Sequence, residues 1–113
     1  MTNYVEIQWT SGSIDHARKI SRYLVQERLV ACAQIIPWIE SIYMWNNQLE
    51  TTQETKIILK SRQELIEKIV KIILENHTYD IPEITWRSID GGNAPYLQWI
   101  SESTPDFSQF RQL

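Results

Sequence analysis

A single cysteine, Cys32, occurs among the 113 residues. That scarcity excludes an internal disulfide, a cysteine-ligated cluster and a cysteine-rich structural zinc site, and it fits a reducing compartment. No apolar run approaches the roughly 20 residues that a membrane helix needs. The opening "MTNYVEIQW" lacks a basic stretch followed by a long apolar one, so a secretory leader is not expected. Positive charge is also short: 11 Lys and Arg stand against 14 Asp and Glu, for a net charge of −3. A general nucleic-acid binder needs a basic face to displace counterions, so that class is set aside. No linker, repeat or charge block divides the chain. Together these features predict one cytoplasmic domain with neither a membrane nor a nucleic acid as partner.

What the chain does have is aromatic bulk. Five Trp and five Tyr in so short a sequence exceed what a small interior accommodates, which points some of them to an interface. Residues 4–9 alternate Val5, Ile7 and Trp9 with Tyr4, Glu6 and Gln8, the period of a half-buried strand. Ser13 then caps a helix whose inner stripe is Ile14, Ala17, Ile20 and Leu24. Two long β-type runs follow, joined at Asn46-Asn47, where left-handed backbone is tolerated. Pro37 interrupts the first run and predicts a bulge, kink or edge. "SRQE" at 61–64 reads as a capping box before a helix carrying Leu65, Ile66, Ile69, Val70 and Ile73. Glu64 with Lys68 and Glu67 with Lys71 are spaced for ion pairs along it. Pro82 to Ile89 reads as a strand, Gly91-Gly92 as a turn and "APYLQWI" as a last helix. The order β-α-β-β-α-β-α predicts an α+β, ferredoxin-like sandwich with an extra C-terminal helix. Residues 1–101 make the domain and 102–113 a polar tail, with Phe107 and Phe110 available to dock.

Lengths imply an assembly. A six-residue first strand spans about 20 Å, whereas residues 30–45 fully extended would span about 50 Å. The hairpin must therefore overrun its sheet, exposing Ile39, Ile42, Tyr43, Met44 and Trp45. An isolated hairpin with such side chains is marginal in water. We expect an obligate homo-oligomer built through the 30–60 hairpin.

The segment "RLVACAQIIPWIESIYMWNNQLETTQETKIILKS" resembles the CutA family of divalent-cation tolerance proteins. Ala31-Cys32, Pro37, Ser41, Tyr43, Trp45, Glu54 and Lys60-Ser61 match its pattern in order and spacing. "HTYDIPE" is similar to the family's H-P-Y-x-x-P-E through His77, Tyr79, Pro82 and Glu83. "GGNAPYLQWI" is similar to its ending through Tyr96, Leu97 and Trp99. The resemblance covers about residues 3–101. It implies a homotrimer interlocked through long strands and a role linked to copper and other divalent cations. It also implies a likeness to the P-II signalling proteins, which bind small ligands between subunits. Trp9 stands where some bacterial members carry a copper-linked cysteine, and Asn76 replaces the first of two histidines. Thr78 and Asn47 replace the motif proline and the hairpin glycine.

The candidate site residues carry competing readings. His77, ending a helix, is either a dipole-favoured cap or a metal or pocket ligand; no nucleophile adjoins it to make a general base. His16, in a first turn among polar neighbours, reads as solvated surface. Cys32 alternates with two alanines and reads as a small buried hydrophobe. A copper site with His77 would require the fold or a second subunit to unite them. Glu54 and Lys60 share one strand face, as an ion pair or as the cation and anion contacts of a boundary pocket with Glu83. Tyr43, Trp45, Tyr79 and Trp99 read as interface, core or cleft walls. The resulting expectation is a non-enzymatic protein of divalent-metal tolerance, binding a metal or small ligand in subunit clefts and acting on a further protein partner. The alternative is a P-II-like sensor; a hydrolase using His77 and Glu83 is the remaining class.

Overall fold

The N-terminal alternation becomes β1, Tyr4–Ser11, with Val5, Ile7 and Trp9 buried on one face. The structure is a computed structural model and describes residues 3–77, 79 and 81–105. Helix α1, Ile14–Gln26, opens on Ser13, whose hydroxyl accepts the backbone N–H of His16. That bond satisfies one of the donors a helix N-terminus leaves free. Ala17, Ile20 and Leu24 are buried, while Ile14 is only half-buried. After α1 the chain turns through Arg28, which adopts φ 60.

Strands β2, Cys32–Trp45, and β3, Gln48–Arg62, form the long hairpin. Its turn is Asn46-Asn47, both left-handed at φ 51 and φ 64, as a two-residue turn matched to strand twist requires. Pro37 does create a bulge: pairing jumps from Ile36↔Lys56 to Ile39↔Glu54. Two β2 residues face one of β3 there, so even β2 residues share a face with even β3 residues before the bulge, and odd ones do so after it.

Residue 61 departs from expectation. Ser61 lies inside β3, buried, with its hydroxyl donating to the Leu29 carbonyl at 2.6 Å. It is no helix cap. A 3-10 turn at Gln63–Leu65 leads instead into α2, Ile66–Asn76, which has no side-chain cap. Glu64 pairs with Arg62, and the expected Glu64–Lys68 and Glu67–Lys71 pairs are not found among the described residues. The strand expected at 82–89 is shorter, β4 at Ile84–Ser88. Helix α3, Ala94–Ser103, has its proline in the first turn and continues past residue 101. Thr104 is buried and holds the Arg62 guanidinium. The tail's Phe107 and Phe110 lie outside the described residues.

The four strands form one antiparallel sheet in the order β2-β3-β1-β4. Val5, Ile7, Trp9, Ile57 and Leu59 pack beneath α1 and α2 to make the core. Helix α3 meets the opposite face, where the Tyr4 hydroxyl bonds Ser101 at 2.8 Å. β1 covers β3 only between Thr55 and Arg62, so the pairs from Ile39↔Glu54 to Trp45↔Gln48 project beyond the sheet. The radius of gyration, 15.5 Å, exceeds the roughly 13 Å of a compact chain this long. Four of the five tryptophans stay outside the core. No helix is long and apolar enough to cross a membrane among the described residues.

Candidate functional site

The projecting hairpin creates a cleft at its own base. β2 and β3 supply one wall, and the segment leading into β4 supplies the other. The backbone N–H of Thr10, at the end of β1, reaches the Glu83 carbonyl at 3.4 Å and ties that segment to the sheet. Gly12 leaves room for the Tyr79 ring: a Cβ there would stand 2.9 Å from the phenol oxygen. The resulting cavity is about 680 Å³, bounded in part by Tyr43, Trp45, Tyr79, Glu54 and Glu83. Once the bulge is passed, Ser41 opposes Thr52 and Tyr43 opposes Glu50, which brings these polar groups into the same cleft.

Its electrostatics are one-sided. Glu50, Glu54 and Glu83 line it, and no Lys, Arg or His does so among the described residues. Burial, followed by the charge and hydrogen bonding of Glu54, pushes the Tyr79 phenol up to about 12. Thr52 donates to the Tyr43 hydroxyl at 3.4 Å, fixing that ring against β3.

Five of the nine residues singled out from sequence therefore meet in one place. Lys60 and Trp99 do not join them. Lys60 is six residues from Glu54 on β3, roughly 20 Å along an extended strand. Its ammonium lies over the Tyr96 ring, 5.4 Å from the centroid, and that ring packs on Trp99 at 5.6 Å. Cys32 belongs to this second cluster, with its sulfur 3.7 Å from the Tyr96 hydroxyl. Burial, then the hydrogen bond and charge of Cys32, pushes the Tyr96 phenol up to about 12. Composition and spacing gave no sign of the Cys32–Tyr96 contact, because α3 reaches it across the sheet. The cleft residues Thr10 and Glu50 were also missed, although the hairpin register points to Glu50 once the bulge is placed.

The two histidines end up differently from each other. His16 is not solvated surface: its ring stands edge-on to Trp9 at 6.3 Å, with Nε2 buried and without a hydrogen-bond partner among the described residues. His77 is the C-cap residue of α2, and its Nδ1 is likewise buried and unpartnered. Cys32 and His77 lie at opposite ends of the sheet. Cys32 pairs with Lys60 and so with the Glu6 end of β1, whereas α2 runs back to the Thr10 end. Copper prefers thiolate and imidazole donors, and within one chain these two do not converge. Among the described residues no three His, Cys, Asp or Glu side chains are grouped to hold a metal ion. The donor set of a single chain does not fit a copper centre.

The sequence pattern of the CutA1 divalent ion tolerance protein family matches residues 5–103. The chain belongs to that family. It is 40% identical over 87 residues to the chloroplastic CutA protein of Arabidopsis thaliana, covering 77% of this chain and 48% of that one. The crystal structure of CutA1 from Ehrlichia chaffeensis superposes with a TM-score of 0.87 at 30% identity, covering 93% and 98% of the two chains. A structure described as the periplasmic divalent cation tolerance protein CutA of Archaeoglobus fulgidus gives 0.84 at 30% identity, covering 93% and 100%. The chain spans about half the length of the plant and human relatives it matches. These names correct the expected cytoplasmic location: CutA proteins are named from the chloroplast and the periplasm, and a reducing, leaderless reading of one cysteine and nine N-terminal residues does not fix a compartment. The family name describes tolerance of divalent ions, not a catalysed reaction.

Proposed function

We propose that this CutA chain serves divalent-cation tolerance as a homotrimer assembled through its hairpin, with the acidic cleft at the hairpin base as its ligand site. The observation that carries the proposal is the exposed apolar arm. Ile42 and Met44 are each 63% exposed and Leu49 is 71% exposed, well beyond what a projecting two-stranded ribbon sustains in water. Ile42, Met44 and Leu49 share one face of the arm, and Tyr43 and Trp45 the other. Both faces need cover. In a ring of identical head-to-tail contacts every protomer has two neighbours, which suits an arm with two apolar faces.

The role is that of a binding and scaffolding protein, with a ligand in the cleft biasing the assembly that a partner reads. Copper held by one chain is not part of this reading; His77 would need donors from a second chain. The sensor reading relied on Lys60 as an anion contact, and Lys60 is engaged with Tyr96 away from the cleft. The test is the mass in solution of the full chain and of Ile42→Glu/Leu49→Glu. Wild type should sediment as three chains, and the double variant should dissociate. A monomeric wild type at micromolar concentration would remove the proposal.

A further inference from the structure

We infer that the groove between α1 and the sheet-backed half of β2 binds an aliphatic carboxylate, at a site separate from the acidic cleft. Helical spacing builds its outer wall: Arg18, Arg22 and Gln26 stand one turn apart on α1, with Ser21 and Val25 on the neighbouring row. Helix α1 lies against β2, the outermost strand of the sheet. Ser21 and Ala33 are small where a leucine or isoleucine would fill the space, and a cavity of about 580 Å³ remains between the two elements. Ala33 and Ile35 precede the Pro37 bulge and pair with Leu59 and Ile57. This wall therefore belongs to the domain and not to the projecting arm.

The lining has one sign of charge. Arg18 and Arg22 border the groove with no Asp or Glu in its described lining, in a chain whose acids outnumber its bases. Arg18 meets Asp15 at 3.7 Å, with both side chains largely in water, a contact of little strength. Arg22 forms no ion pair among the described residues. Ser21 is an independent pointer to a ligand. It is 4% exposed, it lines the groove, and its buried Oγ has no hydrogen-bond partner among the described residues. A helical serine often returns its hydroxyl to the carbonyl one turn back, and a buried hydroxyl left unpaired costs free energy. One oxygen of a carboxylate would accept the Ser21 proton while the other meets the Arg22 guanidinium. Val25, Ala33 and Ile35 supply an aliphatic floor, on which a methylene chain loses contact with water. A cation is repelled by the two guanidinium groups, and an anion without a chain leaves the floor wet. The volume lies within the usual range for small-molecule sites.

The experiment is calorimetric titration of the full chain with octanoate, octanol, octylammonium, acetate and inorganic phosphate, with methyl NMR shifts of Val25, Ala33 and Ile35 and the oligomeric state followed on the same samples. Octanoate should bind saturably and move those methyl signals, and the other four probes should bind at least ten-fold more weakly. Arg22→Gln should weaken octanoate about ten-fold, the effect of losing one charge-assisted contact, and Ser21→Ala about five-fold. Lys19→Gln, on α1 but outside this groove's lining, should leave binding unchanged, and the oligomer should persist in all three variants. Octanol binding as tightly as octanoate would overturn the inference, because the cationic rim would then be idle. Acetate or phosphate binding as tightly would overturn it too, because the floor would be. Octanoate binding that ignores Arg22→Gln and Ser21→Ala, or leaves the three methyl signals still, places the ligand elsewhere and defeats the assignment, as does the absence of saturable binding. If Arg22→Gln or Ser21→Ala breaks the oligomer, a second copy covers the groove and the inference falls in favour of an interface.

Discussion

Replacing Trp9 by cysteine would test how firmly the end of β1 is locked into the core, and the structure predicts a heavy cost. Trp9 is 1% exposed, sits between Ile57 of β3 and Ile84 of β4 in the sheet, and supports the His16 ring. A buried tryptophan removes about 150–250 Å² from water, or roughly 4–6 kcal/mol at 25 cal/mol per Å². Cysteine recovers a small part of that, and the surrounding strands cannot collapse into the space. We expect Trp9→Cys to lose about 3–4 kcal/mol, close to the cost of truncating large aromatics elsewhere. That is a large share of the 5–15 kcal/mol typical of a domain. Urea unfolding with thiols kept reduced would measure it, at equal chain concentrations because assembly adds to apparent stability. A loss under about 1 kcal/mol would refute the reasoning, since it would mean that position 9 is not locked into the core.

Ser61→Ala should cost about 1–2 kcal/mol by stranding the buried Leu29 carbonyl, read from the same urea midpoint. Arg28→Gly should raise stability by several tenths of a kcal/mol, because φ 60 suits glycine better than arginine; an unchanged or lower melting temperature would count against it. Two of the five tyrosines, Tyr79 and Tyr96, should ionise near pH 12 in a near-ultraviolet titration, with Tyr79→Phe and Tyr96→Phe each removing one late step. Their neutral phenols contribute stability that is complete below pH 10 and is lost as pH climbs towards 12, so base denaturation should begin in that window.

Local chemistry was legible before any coordinates. The β1 alternation, the Ser13 cap, the Pro37 bulge and the Asn46-Asn47 turn each depend on a few adjacent residues, and each is present. Ser61 shows where that reasoning stops. Its spacing from Glu64 suits a capping box, yet pairing with β1 and a bond to Leu29, 32 residues away, keep it in the strand. The site divided in the same manner. Strand parity put Glu54 and Lys60 on one face correctly but could not say that distance separates them. His16 looked solvated because its sequence neighbours are polar, whereas Trp9, seven residues earlier, lies against it in space. The acidic cleft needed the hairpin register, and the Cys32–Tyr96 contact needed the path of α3.

The bulge at Pro37 gives the arm a reading frame of its own. Removing one residue at 37 or 38 would turn the whole distal strand inside out, exchanging Tyr43 and Trp45 for Ile42 and Met44 on every surface they present. Losing one at the tip would disturb only the tip. Length changes at the base of the arm should therefore survive in descendants only when paired with a second that restores phase. Changes at the end should accumulate singly, which leaves the tip free to diverge while the base stays fixed in register.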